Sequence, residues 1–224
     1  MKSRYVAGVE LESLLDSGSS VWAGASSELV KLMGTPVGLQ PTEAIRSTWI
    51  GREIGAVGQV SVSSVHDGSL LAFRLEWEDS EEDAELSDTT AFVDGAAVLL
   101  PSVPEAPAMT MGAPGAAVTA WYWRADDAGG LGRHVVAEGL GTTRTLDQEL
   151  VRSRGEWKDG RWRVVLARPL RVESAEPVVQ LEVGAVTGFG VAVWEGSRGE
   201  RAGIKAFSGD WQELRIESPA TARR

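Results

Sequence analysis

Two stretches of the chain alternate apolar and polar residues on either side of an Asp-Gly pair, and this alternation constrains the fold more than any other feature. In residues 58–77, Val60, Val62 and Val65 lead into His66-Asp67-Gly68, after which Leu71, Phe73 and Leu75 alternate with polar neighbours. Residues 156–170 repeat the device around Asp159-Gly160. Asp-Gly supplies the positive-φ positions of a tight hairpin turn, and a period of two places alternate side chains on one face of a sheet. A chain built this way cannot be a helical bundle.

The same reading extends along the chain. Residues 90–101, ended by Pro101, form a strand, as do 116–126, 178–184, 188–196 and 211–217. Residues 26–33 have the one plausible helical pattern, capped by Ser26 or Ser27. The acidic run 76–88 and the Gly-rich, charged stretch 125–150 read as surface excursions. Short strands with frequent turn signals, and no internal repeat or linker, predict one all-β domain over 1–224, an antiparallel β-sandwich with a few short helices in its connecting loops. About 20 N-terminal and about seven C-terminal residues are expected to be extended or flexible.

Composition narrows the function. With no cysteine, the chain has no disulfide, thiolate zinc site, iron–sulfur cluster or covalently attached haem. A net charge of -10 excludes the basic footprint that nucleic-acid binding needs. No run reaches the roughly 18 apolar residues of a membrane span. Glu10, Glu12 and Asp16 break any apolar signal-peptide core, which suggests a cytoplasmic protein unless a leader is removed or export occurs with a partner. Only His66 and His134 are available to a catalytic triad; His66 reads as a hydrogen-bonding turn residue and His134 as a solvated one. No phosphate-binding or dinucleotide fingerprint is present, so no catalytic residue is assigned and the chain reads as non-catalytic. Nine Trp against two Tyr and four Phe suggest a large flat ligand or an extensive docking surface.

Several blocks recur in a fixed order: HDGSLLAFRLEWED (66–79), FVDGAAVLLP (92–101), PEAPAMTMGAPGAAVTAWYWRAD (104–126), DGRWRVVLARPL (159–170) and VAVWEGSRGERAGIKAFSGDWQELRI (191–216). Together they resemble the haem b-binding gamma subunits of the ethylbenzene dehydrogenase, dimethylsulfide dehydrogenase, chlorate reductase and selenate reductase group, the type II DMSO reductase complexes. No single block is specific; their order over 66–214 is.

The resemblance implies one non-covalent b-type haem in a β-sandwich, held by a methionine and a lysine. Carried over by position, the ligands are Met111, in the Met-Gly pair, and Lys205. Met109 and Met111 share a side of an extended segment, so spacing leaves both open; Gly112 selects Met111 through the family pattern. Lys205 by itself reads as a surface lysine, and must be a neutral amine to bind iron. Phe207 and Trp211 are expected in the pocket wall, Trp121 and Trp123 at the haem edge or in the core, and Arg124, Arg163 and above all Arg168 as propionate partners. The resemblance further implies an electron-transfer subunit beside a molybdopterin-containing alpha subunit and an iron–sulfur beta subunit, exchanging electrons with a soluble cytochrome or similar carrier, and a periplasmic location. The bottom-up alternative is a ligand-binding sandwich, such as a carbohydrate-binding module, without haem.

Overall fold

The computed structural model describes residues 1–86, 91–127, 129–146 and 149–219. The first half contains β1 (Lys2–Tyr5), α1 (Leu11–Leu15), β2 (Ser27–Lys31), β3 (Met33–Gly34), α2 (Glu43–Trp49), β4 (Gln59–His66), β5 (Leu70–Glu78) and β6 (Gly95–Pro101). The second half contains β7 (Val118–Arg124), β8 (Arg133–Ala137), β9 (Arg144–Thr145), β10 (Arg152–Trp157) and β11 (Arg161–Pro169). It closes with β12 (Val186–Trp194), β13 (Ala206–Phe207) and β14 (Gln212–Ile216).

The strands form one hydrogen-bonded path, β10-β11-β5-β4-β1-β14-β12-β6-β7-β8-β9, that folds over on itself at β12. Val186–Phe189 of that strand pair with β14, whereas Gly190–Trp194 pair with β6, so one strand belongs to both layers. Most pairings are antiparallel; β1 runs parallel to both β14 and β4. The predicted all-β sandwich is therefore the observed one.

Alternation explains the core between the layers. Phe73 and Leu75 of β5 and Val164 and Leu166 of β11 face Val98 and Leu100 of β6, Trp121 and Trp123 of β7, and Val191 and Val193 of β12. Phe73 meets Trp121 edge-on at 5.6 Å between ring centroids, and Trp123 meets Trp162 at 4.8 Å. Full burial contributes about 1.5–3 kcal/mol for each large apolar side chain. Four of the nine Trp, at positions 77, 121, 123 and 162, are buried in this core.

Both Asp-Gly hairpins form: β4–β5 around Asp67-Gly68, and β10–β11 around Asp159-Gly160, with φ 53° and 71° at the latter pair. Other local expectations are corrected. Residues 27–31 are a strand, because pairing with the edge of β4 and burial of Val30 override a weak helical pattern. Helix α2 lies where no helix was expected, started by Thr42, whose side chain accepts from Ile45 N–H. Residues 178–181 are not a strand; they are fastened by Arg168 and by Thr119, whose hydroxyl accepts from Val179 N–H at 3.0 Å. At the N-terminus, the extended β1 sits between two strands with Ser3 fully buried. Residues 220–224 lie outside the described residues. Among the described residues no helix is long and apolar enough to cross a membrane.

Candidate functional site

The outer face of the β12-β6-β7-β8 layer is also apolar, and there it is made of small residues. In register across the strands, Phe207 pairs with Ala192, Ala192 with Ala97, Ala97 with Tyr122, and Tyr122 with Arg133. The next row on the same face runs Leu99, Ala120, Val135. Ala97, Ala120 and Ala192 give this face a flat floor, and Tyr122 and Phe207 rise at its sides. Above it lies a cavity of about 390 Å3, within the range of small-molecule and cofactor sites.

Four segments wall the cavity. Leu39, Gln40, Pro41 and Ile45 come from the approach to α2 and its first turn; Met109 and Met111 come from the β6–β7 connection. Gly139, Leu140 and Gly141 follow β8, and Trp194 and Lys205 come from the end of β12 and the approach to β13. Met111 and Lys205 thus share one cavity.

Met111 is held by local geometry. Residues 107–112 form a tight turn, not the extended segment expected: Met111 N–H donates to Ala108 O at 3.1 Å, and Gly112 N–H to Pro107 O at 2.9 Å. Met111 itself has φ 57°, a left-handed conformation that a non-glycine residue adopts at a cost. Gly112 must be glycine. A Cβ there would lie 2.7 Å from Ala116 O and 2.9 Å from Ala137 O. Met111 packs on the alanine floor, while Met109 is the more exposed of the two.

Lys205 is clamped through its backbone: its carbonyl accepts from Thr35 N–H at 3.0 Å, and its N–H donates to the Thr35 hydroxyl at 3.3 Å. Its side chain is only 8% exposed. The ammonium stands 5.5 Å from the Trp194 ring centroid, with no ion pair to a carboxylate among the described residues. Burial pulls its pKa down to about 8. The surface lysine suggested by composition is a buried one.

Of the other expected site residues, Phe207 lines the cavity. Trp121 and Trp123 do not: they point to the inter-sheet core, because they flank Tyr122 and a strand alternates its faces. Trp211 packs behind the site, donating its indole N–H to Ala106 O at 2.7 Å, rather than forming its wall. Arg168 is corrected most plainly. It is fully buried, donating to the carbonyls of Pro169, Leu170 and Val179, 5.1 Å over the Trp121 ring. Arg124 pairs with Asp126 and Arg163 with Glu76. The arginine that lines the cavity is Arg133, also paired with Asp127 at 2.7 Å. Alternation from Tyr122 through β8 was the available signal for it.

Both histidines differ from expectation. His66 ends β4 fully buried against Tyr5, at 5.5 Å between rings, and burial lowers its pKa. His134 lies on β8 inside the supposed excursion, 1% exposed, with Nε2 3.3 Å from Arg168 Nη1. Burial, then the neighbouring guanidinium, lower His134 to about 4, so it is neutral and accepts.

Fold and site define a β-sandwich whose second apolar face carries a walled, methionine- and lysine-lined cavity. The chain belongs to the ethylbenzene dehydrogenase family, whose model matches residues 19–150 and 139–206. It is 35% identical over 162 residues to the chlorate reductase subunit gamma of Ideonella dechloratans, covering 72% of this chain and 66% of that one. It is 32% identical over 194 residues to a Haloferax mediterranei protein provisionally named as the heme subunit of a respiratory nitrate reductase, covering 86% and 65%. A third relative is the dimethylsulfide dehydrogenase subunit gamma of Rhodovulum sulfidophilum, 27% identical over 221 residues, covering 95% and 79%. The chain thus spans slightly less than two thirds of the length of the first two, at 66% and 65%. Among solved structures the fold is similar to a family 9 carbohydrate-binding module from Caldicellulosiruptor kristjanssonii in complex with glucose, at TM-score 0.51 and 11% identity, covering 100% of this chain and 99% of that one.

Proposed function

We propose that the chain is an electron-transfer subunit that binds one b-type haem in the cavity, where Met111 and Lys205 would hold its iron, within a molybdenum oxidoreductase complex. The observation that carries this reading is Lys205, a buried amine without a counter-ion among the described residues, in an apolar cavity that also holds a thioether. An ammonium placed there costs free energy unless the site takes the proton away, and ligation of a metal does so. The flat alanine floor suits a planar macrocycle. One of the relatives is named as a heme subunit, and two as gamma subunits of a reductase and a dehydrogenase.

When bound, the haem supplies a one-electron couple, and a thioether ligand raises its potential. The chain's own residues do the rest. Thr35 fixes the backbone of Lys205, and Gly112 fixes the turn that presents Met111. Leu99, Val135 and Phe207 keep water from the floor, and Arg133 offers a guanidinium to a propionate. The alpha and beta partner subunits and the soluble cytochrome or similar carrier belong to this proposal. The carbohydrate-binding alternative needs Trp121, Trp123 or Trp194 on an open face; Trp121 and Trp123 are buried, and Trp194 is half-buried in the cavity wall beside Lys205.

The test is the absorption spectrum of the purified, haem-reconstituted chain, oxidised and dithionite-reduced. A b-type spectrum altered or lost in Met111→Ala and in Lys205→Ala, but retained in Met109→Leu, is expected. A colourless protein after expression with ample haem overturns the reading.

A further inference from the structure

At the far end of β12 from its junction with β14, the two layers meet in a group of acids that the cavity does not use. Asp79 follows β5, Asp94 precedes β6 and Glu195 follows β12; all three are buried. One carboxylate oxygen from each lies within 4.8 Å of the others. No arginine or lysine pairs with any of them among the described residues. Asp83, whose pKa is raised by burial and then by the neighbouring Glu195 charge, adds a fourth acid.

Asp94 is committed to positioning: one oxygen accepts Gly196 N–H at 2.9 Å, and the other accepts the Trp162 indole N–H at 2.9 Å and Asp83 N–H at 3.0 Å. Asp79 is different. It is 5% exposed, one oxygen accepts Glu81 N–H at 3.1 Å, and its Oδ2 is buried with no donor among the described residues, so that its one side-chain neighbour for hydrogen bonding is the like-charged Glu195. The Asp83 Oδ2 is likewise buried without a donor among them. A buried, unpaired carboxylate oxygen among like charges is costly. Burial above all drives Asp79 and Asp94 up to about 7.

We infer that Asp79, Asp94 and Glu195 form a binding site for one divalent cation of the calcium class, which ties the β5 end of one layer to the β6–β12 end of the other. Hard carboxylate oxygens are calcium ligands, at 2.3–2.6 Å from the ion. Oxygens sharing one such ion stand at most about 5 Å apart, which is the spacing seen among these three. With all three carboxyls ionised, a dication takes the group from about -3 to about -1, which offsets the repulsion that otherwise keeps Asp79 and Asp94 partly protonated. With no nitrogen or sulfur donor in the group, transition metals are disfavoured. This site stands apart from the haem reading and does not depend on it.

The full chain is stripped with EGTA, dialysed and titrated with calcium chloride by calorimetry, with thermal melts run beside it. Expected are one equivalent of calcium bound, a rise in Tm on calcium addition, and at least a tenfold weaker affinity in Asp79→Asn and in Glu195→Gln. Terbium supplies a local reading, since Trp162, bonded to Asp94, should sensitise its emission. Removing repulsion should leave the amide variants folded, with calcium-free melts at or above the calcium-free wild type. No calcium uptake at millimolar concentration, or uptake unchanged in the Asp79→Asn, Glu195→Gln double variant, overturns the assignment.

Discussion

Lys205 holds its ammonium 5.5 Å from the Trp194 ring centroid, buried in a cavity wall and without a carboxylate partner among the described residues. Lys205→Met should therefore separate stability from function. At neutral pH the haem-free variant is expected to be more stable than wild type by about 2 kcal/mol, since the cost of burying a charge is removed. Haem occupancy or the ligand-field spectrum should change at the same time. Urea unfolding of the two haem-free proteins and their reconstituted spectra check both halves. A less stable Lys205→Met would mean that the ammonium has a partner.

The alanine floor makes a second expectation. Ala97→Leu places a branched side chain where the ligand would lie, against Tyr122 and Ala192. The fold should survive, because the substitution points into a cavity rather than into close-packed core, but haem per chain should fall at least tenfold. Pyridine haemochrome content after reconstitution measures this. Full occupancy in the variant would place the ligand elsewhere.

At Gly112 backbone and site are coupled. Gly112→Ala meets two carbonyl oxygens within 3 Å and has φ 89° in the native turn. A loss of about 2 kcal/mol is expected, with an altered haem spectrum because the turn that presents Met111 must shift. Gly115→Ala, with open space around it, also has positive φ and serves as the control for strain at a distance from Met111. Equal spectra in the two variants would uncouple the turn from the ligand.

His134 sets a pH dependence. Its folded-state pKa is lowered to about 4 from 6.5, so between these values the unfolded chain binds the proton that the native one refuses. Stability then falls as pH drops from 6.5 towards 4, by up to about 3 kcal/mol. His134→Gln keeps an acceptor for Arg168 and removes the titration. The stability difference between wild type and variant should shrink steadily over that window, read by chemical denaturation at each pH. A difference independent of pH would show that His134 takes up its proton equally in the native and unfolded chain.

Much of the architecture was legible because it is local. Asp67-Gly68 and Asp159-Gly160 announce their hairpins, and alternation at Phe73, Leu75, Val164 and Leu166 marks the core face. The misread places are those where distant pairing decides: the strand at 27–31 exists because β4 offers it an edge, and β8, buried at four of its five positions, forms within a Gly-rich, charged stretch because β7 offers it an edge. The site residues divide along the same line. Met111, Lys205 and Phe207 line the cavity, and the indoles at 121 and 123 do not, although Trp121, Tyr122 and Trp123 are consecutive.

By itself the sequence determined a cysteine-free chain of short alternating strands, with the residues of each strand sorted onto two faces. It also carried the ordered blocks that mark the family. Alternation says which residues share a face, but not which face meets the other sheet and which is left for a ligand. That depends on how β12 passes from one layer to the other and brings residues 35–45, 108–111, 139–145 and 202–207 over Ala97, Ala120 and Ala192. Burial of Lys205 is a property of that convergence. Its charge, its lowered pKa and its fitness as a ligand arise from neighbours that no local pattern names.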